Sequence, residues 1–519
     1  MINNIGKSKM KKIKKCKISS FYYSVGIMFL VQILIKIVGL IYNIFLTNNV
    51  NYSDTGNGIF MSAHQVYILF LVVSISGIPM TIAKMISSRS KNSIDVNKIL
   101  VLNLALWGII GIFESILLIT FSEIISYHIL NVEIVEKILK ILAISIPFVN
   151  LNSVFRGALN GIEKTYVGTI IQFIEQIIKV CFTFIGIYIL RKYKLEYMEN
   201  ILYVVSFGIS ASIIFTFFIY VYKWKKYKNN IIDRSNIRYV DIFKDTLKLT
   251  IPITILGVFG SLNKNVDLFC FTNILEKYFD GNTINEMYGI IVSKVDVLIN
   301  FPIGLNTALI VPLLPKISRL YSENRFDEMK KSITDSLYLS LMFAVPITFI
   351  YMIYSSDILN VIYPNASSGS SCLKIGSVLI LLNIFMQIIM TYFNAIGKTN
   401  KIMKSFVFGL VCKFILNIIL LSIKGIYEKG IIISTIISDL FIIFILVKDK
   451  TIKRYEIKFL NEEIRNLVYE NVILIFVCFI LKNSFELFNI NAKISLFFLY
   501  GIGFFMYISR NFKKKYKKI

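Results

Sequence analysis

"IIQFIEQIIKV", residues 170–180, is apolar enough to cross a bilayer, yet it carries Gln172, Glu175, Gln176 and Lys179. Their spacing of i, i+3, i+4 and i+7 puts all four on one stripe of a helix. A charge at the bilayer centre costs roughly 3 kcal/mol on insertion scales. The stripe must therefore face something other than lipid. Two readings stay open here: Glu175 and Lys179 form an ion pair along one helix, in the favourable orientation, or they line a hydrated cavity.

The surroundings are of the same kind. Hydrophobic residues make up 56% of the 519, and the mean hydropathy is +0.68. They fall in blocks of about 20, the length that spans the hydrocarbon core as helix. Fourteen blocks stand out: 20–46, 58–83, 99–121, 139–158, 166–190, 200–222, 246–272, 287–314, 333–355, 371–397, 402–422, 429–448, 468–485 and 491–509. Strands of a barrel would instead alternate polar and apolar at period two. The expected class is an all-α polytopic membrane protein with about 14 transmembrane helices.

Charge fixes an expected orientation. The net charge of +26 is concentrated in alternate loops, as in cytoplasmic segments under the positive-inside rule. "KSKMKKIKKCK" (7–17), the long loop 223–245 and the tail "RNFKKKYKKI" (510–519) are basic. The loops between them, such as "TNNVNYSDTGN" and "LEKYFDGNTINE", are neutral or acidic, and "RKYKLEYMEN" is an exception. Both termini are thus expected in the cytoplasm, the lysines marking orientation near anionic lipid and not nucleic-acid binding. No signal peptide is expected, since about 19 polar residues precede a first block too long for one.

The six cysteines are scattered, which suggests neither a disulfide framework nor a zinc site. With two histidines and no clustered cysteines, no catalytic constellation is expected, nor any bound metal.

The two halves repeat a script. "IEKT" (162–165) returns as "IGKT" (396–399), which aligns Lys179 with Lys413 at an offset of 234. "GIFMSAHQV" from Gly58 returns as "GIIVSKVDV" from Gly289 at an offset of 231. The expected organisation is a basic tail (1–19), a first six-helix lobe (20–222), a basic linker (223–245), a second lobe (246–448), and two added C-terminal spans with a tail (449–519).

Further polar residues sit inside the spans. Span 1 carries Gln32, Lys36 and Asn43 on one face, and Lys36 has no carboxylate at i±3 or i±4. Span 2 carries His64 and Gln65, then Gly77 and Pro79, which should kink it. Span 7 carries Asn263, Lys264 and Asp267; span 8 carries Lys294, Asp296, Asn300 and Asn306, with Pro302 and Gly304. Lys264 with Asp267 could again be a local pair or cavity lining. Arg156 abuts "GALNG", a close-packing turn. Together these read as one hydrated cavity shared by the two lobes. Several lysines suit an anion such as phosphate or pyrophosphate, while the acids could bind a coupling cation.

At "KIVGLIYNIFL" (36–46), "VSISGIPMTIAKMIS" (73–87), "FRGALNGIEKTYVGTIIQFIEQIIKV" (155–180), "IPITILGVFGSLNKNVDLF" (251–269) and "YGIIVSKVDVLINFPIGLNTALIVPLLPKIS" (288–318) the chain resembles the polysaccharide-biosynthesis transporter family. That family includes stage V sporulation protein B and the Gram-positive lipid II flippases, a branch of the multidrug/oligosaccharidyl-lipid/polysaccharide exporter superfamily. The resemblance implies two six-helix lobes around a cationic cavity, plus two C-terminal helices. It implies flipping of an undecaprenyl-pyrophosphate-linked oligosaccharide or peptidoglycan precursor by alternating access, in cell-wall or spore-cortex synthesis. Arg156, Glu175 and Gln176 match the family pattern, Lys179 stands where Arg is expected, and Asn43 replaces a span 1 Arg. The cations Lys36, Lys264 and Lys294 are expected to attract the pyrophosphate. No cofactor is expected beyond coupling to membrane potential, proton or sodium ion. The expected partners are the lipid-linked glycan, membrane lipids and cell-wall synthesis enzymes, around a monomer. A cation-coupled multidrug exporter of the same superfamily is the alternative; span 1 lacks the acid it would need.

Overall fold

The computed structural model describes residues 26–471, except 29, 90–95, 229–237, 311–312, 366, 455–461 and 468. Among these, every regular element is helical. Eleven helices are long and apolar enough to cross a membrane. They are α1 (Gly26–Thr47), α2 (Ser53–Ser87), α3 (Val96–Ile129), α4 (Ile134–Gly161), α5 (Thr165–Lys192) and α6 (Met198–Lys226), then α8 (Gly281–Thr307), α9 (Phe326–Ile362), α10 (Ser370–Ala395), α11 (Thr399–Leu421) and α12 (Tyr427–Val447). Between them lies α7 (Tyr239–Leu275), 37 residues long, whose apolar run is diluted by Asn263, Lys264, Asn265 and Asp267. Each of the first twelve expected spans falls on one of these helices. The basic tail 1–19 and nearly all of the last two expected spans lie outside the described residues.

Gly77 and Pro79 act differently from a simple kink. Residues Val73–Gly77 form a π-turn inside α2, one residue wider than α-helix. Pro79 has no N–H to give the carbonyl four residues back, so Ile75 O is left without its helical donor. Arg156 Nη2 supplies one at 3.2 Å. A second π-turn, Ile290–Val295, interrupts α8 upstream of Pro302.

The chain forms two compact units. One comprises the residues through Tyr42 and Ser62–Ser261; the other comprises Asn43–Met61 and the residues from Leu262 onward. Helices α1, α2 and α7 therefore each contribute to both.

The core of the first unit joins Ile78, Ile82 and Ile86 of α2, Trp107 of α3, Phe155 and Leu159 of α4, Ile171 of α5, and Tyr220 and Trp224 of α6. Gly157 and Gly161 of "GALNG" let α4 lie directly on α2: a Cβ at Gly157 would meet Pro79 O at 2.9 Å, and one at Gly161 would meet Ile86 Cβ at 2.6 Å. This is the small-xxx-small contact that substitutes for a hydrophobic drive inside lipid. In the second unit, the start of α2 crosses α8 just as closely, with a Cβ at Gly58 falling 1.8 Å from Asn285 O.

The segments "IEKT" and "IGKT" make the same turn at the entry to α5 and α11, one that also closes the helices at Leu190–Leu195 and Leu320–Arg325. Lys164 N donates to Leu159 O at 2.9 Å, and Lys398 N to Phe393 O at 2.9 Å. Glu163 N to Asn160 O and Gly397 N to Asn394 O are both 3.1 Å. The turn needs a left-handed residue: Glu163 has φ 63 and Gly397 has φ 74.

Candidate functional site

The stripe on α5 opens onto a cavity of about 400 Å³ within the first unit. Gln172, Glu175, Gln176 and Lys179 form one wall, with His64 and Tyr67 of α2, Asn152 and Arg156 of α4, and Ser212 and Tyr220 of α6 around the rest. Glu175 interacts electrostatically with both Lys179 and Arg156, and Thr216 Oγ1 donates to its Oε2 at 3.4 Å. Two cations and one carboxylate leave the wall net positive before His64 is counted. Lys179 also lies over the ring of Tyr42 at 4.7 Å, and Tyr42 Oη bonds Thr183 Oγ1 at 3.2 Å. Asn152 donates to Ile213 O at 3.1 Å, while its Oδ1 is buried without an internal partner.

Of the expected site residues, this cavity brings together Arg156, Gln172, Glu175, Gln176 and Lys179. Lys36 is exposed on α1, one turn before Gly39, where a Cβ would come within 3.5 Å of Gln176 Nε2.

The remaining residues belong to the second unit and are largely engaged with one another. Lys294 is fully enclosed, its Nζ donating to Asp54 Oδ2 at 2.7 Å and Ser368 Oγ at 3.0 Å. Lys264 pairs with Asp296 of α8, and not with Asp267 three residues on. Asp267 instead accepts from Lys413 at 2.7 Å and Asn417 at 2.9 Å, both on α11. Asn43 is buried, taking a hydrogen bond from Tyr363 Oη at 2.8 Å. Asn300 is exposed.

Two acids were not read from the sequence as site residues: Asp54, which holds Lys294, and Glu114, which accepts from Asn150 Nδ2 at 3.0 Å. Glu114 had a signal, being a lone acid in the apolar "GIIGIFESILLI" of span 3. Asp54 had none, because it reads as an ordinary loop acid ahead of a span.

The exposed "RKYKLEYMEN" loop also resolves. Arg191 holds Glu196 through two bonds of 3.1 Å, so part of its positive charge is neutralised locally.

Sequence and fold comparisons place this helical chain among transporters of the multidrug/oligosaccharidyl-lipid/polysaccharide exporter superfamily. The chain belongs to the polysaccharide biosynthesis protein family, whose model matches residues 22–320, and a MatE model matches residues 287–419. It is 22% identical over 442 residues to the lipid II flippase MurJ of Bacillus subtilis (strain 168), covering 80% of each chain. It is 21% identical over 373 residues to stage V sporulation protein B of the same organism, covering 69% of this chain and 70% of that one. In fold it is similar to a lipid II flippase MurJ in an inward closed conformation, with a TM-score of 0.71, 18% identity, and 94% and 99% of the two chains covered. An inward-facing multidrug resistance MATE family transporter aligns with a TM-score of 0.65 and 14% identity over 83% of this chain and 99% of that one.

Proposed function

We propose that the chain flips an undecaprenyl-pyrophosphate-linked oligosaccharide or peptidoglycan precursor across the bacterial cytoplasmic membrane by alternating access, with both termini cytoplasmic. The observation that carries this reading is the cavity wall itself: Arg156 and Lys179 converge on one space with amide side chains between them. A guanidinium and an ammonium suit the two phosphates, while Gln172 and Gln176 offer both donors and acceptors. The unpartnered Asn152 Oδ1 suits a sugar hydroxyl. Lys36, one turn from the ridge, serves as a cation at its rim. Lys264 and Lys294, already held by carboxylates, leave that role to Arg156 and Lys179. The prenyl tail stays in lipid. An inside-negative potential favours outward movement of negative charge by about 2.3 kcal/mol per charge at 100 mV.

The test is complementation of a strain depleted of its lipid II flippase, paired with a spore-cortex assay, using the full chain and its R156Q and K179Q variants. Rescue of either by the full chain and loss of rescue in both variants is the expected result. Rescue that survives both substitutions would overturn the assignment. Export of cationic drugs without rescue would favour the multidrug reading, for which Glu175 is the available counter-charge.

A further inference from the structure

We propose that Glu114 is a proton-binding site, connected to the cavity through the π-turn of α2. A carboxyl inside a membrane span is costly and marks function by default. Glu114 sits on α3 beside the exposed apolar Ile112, Phe113 and Ile116, away from the cavity lining. It is half-buried, and Asn150 Nδ2 of α4 donates to its Oε2 at 3.0 Å. Gly111 makes this approach possible, since a Cβ there would stand 2.7 Å from Asn150 Nδ2.

The connection runs onward without a gap. Asn150 also donates to Trp107 O at 3.1 Å, and its Oδ1 accepts from Ser74 Oγ. Ser74 is buried in the π-turn Val73–Gly77. The next residue is Ile75, whose carbonyl holds the Arg156 guanidinium at 3.2 Å. Thus a carboxyl, an amide, a hydroxyl and one peptide unit separate Glu114 from a cation of the cavity wall.

The same π-turn packs on α7. A Cβ at Gly77 would meet Thr254 Oγ1 at 2.4 Å, and one at Gly257 would meet Ser76 Oγ at 2.6 Å. π-turns recur at functional sites, and this one is contacted by α4 through Arg156 and by α7, so a change in its winding would reach both.

Other charges facing this region are committed elsewhere. On the helix segments packed against α3, Lys140 pairs with Glu136 at 2.5 Å, Lys137 lies over the ring of Tyr203 at 5.9 Å, Arg156 is held by Ile75 O, and Lys84 is exposed. Asn150 is the hydrogen-bond partner through which the carboxyl senses its protein surroundings.

Taking up a proton turns the Glu114 carboxylate into a neutral acid, which accepts more weakly from Asn150. The amide is then released to reorient, Ser74 loses its acceptor, and the π-turn relaxes. Arg156 shifts with Ile75, so one proton on α3 resets the cavity cation. That the reset serves transport rests on the flippase reading; proton binding and its linkage to Arg156 do not.

The chain has two tryptophans, and Trp107 sits two turns from Glu114 on the same face of α3. With Trp224 replaced by Phe, the full chain in lipid nanodiscs is titrated with acid while Trp107 fluorescence is followed. A single transition is expected, lost in E114Q. By reciprocity of linkage, R156Q moves its midpoint, and S74A abolishes that movement. If E114Q does not fold, E114D, which keeps an ionisable group, moves the midpoint instead. A transition unchanged by the Glu114 variants, or a midpoint indifferent to R156Q, overturns the proposal. Failure of complementation leaves this titration intact, so the two readings fall separately.

Discussion

Lys179 and Lys413 stand 234 positions apart, the offset at which "IEKT" matches "IGKT", yet one opens onto a cavity and the other is sealed against Asp267 at 2.7 Å. Glu175 accompanies Lys179 on its own helix, whereas Gly409 holds the matching place in α11 and the carboxylate arrives from α7. At matching positions of the two segments, one ammonium lines a cavity and the other is enclosed in an ion pair.

That contrast predicts different phenotypes. K413M or D267N alone should lower stability by about 3–5 kcal/mol, because each strands a buried partner. The double replacement K413M/D267L should recover most of the loss. Thermal unfolding in nanodiscs, arranged as a double-mutant cycle, measures both.

K179Q and R156Q should cost less stability than K413M, since the cavity wall keeps a second cation beside Glu175, while binding of inorganic pyrophosphate weakens at least tenfold, a loss of about 1.4 kcal/mol. K36A should weaken binding less, as a rim residue. Scintillation proximity binding on the purified chain gives the ratios.

The shared left-handed turn gives a third expectation. G397A should cost about 1 kcal/mol, and E163G should gain less than that because glycine also loosens the unfolded chain. If melting temperatures move in the reverse order, the turn is not the constraint assumed.

Outside the spans, Asp449 carries a pH signature. Partial burial would raise its carboxyl, but the bonds from Lys401 at 2.7 Å and from Thr451 outweigh this and hold it down at about 2. Because the folded value is depressed, its contribution is fully present above the ordinary carboxylate range of about 4 and is lost as pH falls through the folded value. The melting difference between parent and D449N should be flat above about pH 4 and close towards zero below it. Lys401 is half exposed, so salt should shrink the difference throughout.

Much of this was legible in the residues. Length and apolarity located the spans, since a helix in lipid needs a long greasy run whatever its neighbours do. The period of Gln172, Glu175, Gln176 and Lys179 announced a polar face, and α5 does line a cavity with it. Partner choice was not legible. Asp54 and Lys294 lie 240 residues apart, and nothing in either neighbourhood announces the other. Lys264 and Asp267 invite a local pair at i, i+3, yet helices α8 and α11 bring each a different partner. The interruption of α2 was announced by Gly77 and Pro79, but its form as a π-turn was not, because one extra residue in a turn leaves hydropathy unchanged.

The segment 43–61 packs with the chain's later residues, and its Asp54 finds Lys294 there. A gene cut in the 229–237 stretch would therefore yield a front fragment carrying a buried acid without its counter-ion. Neither fragment should be soluble in detergent by itself, and co-expression should restore both.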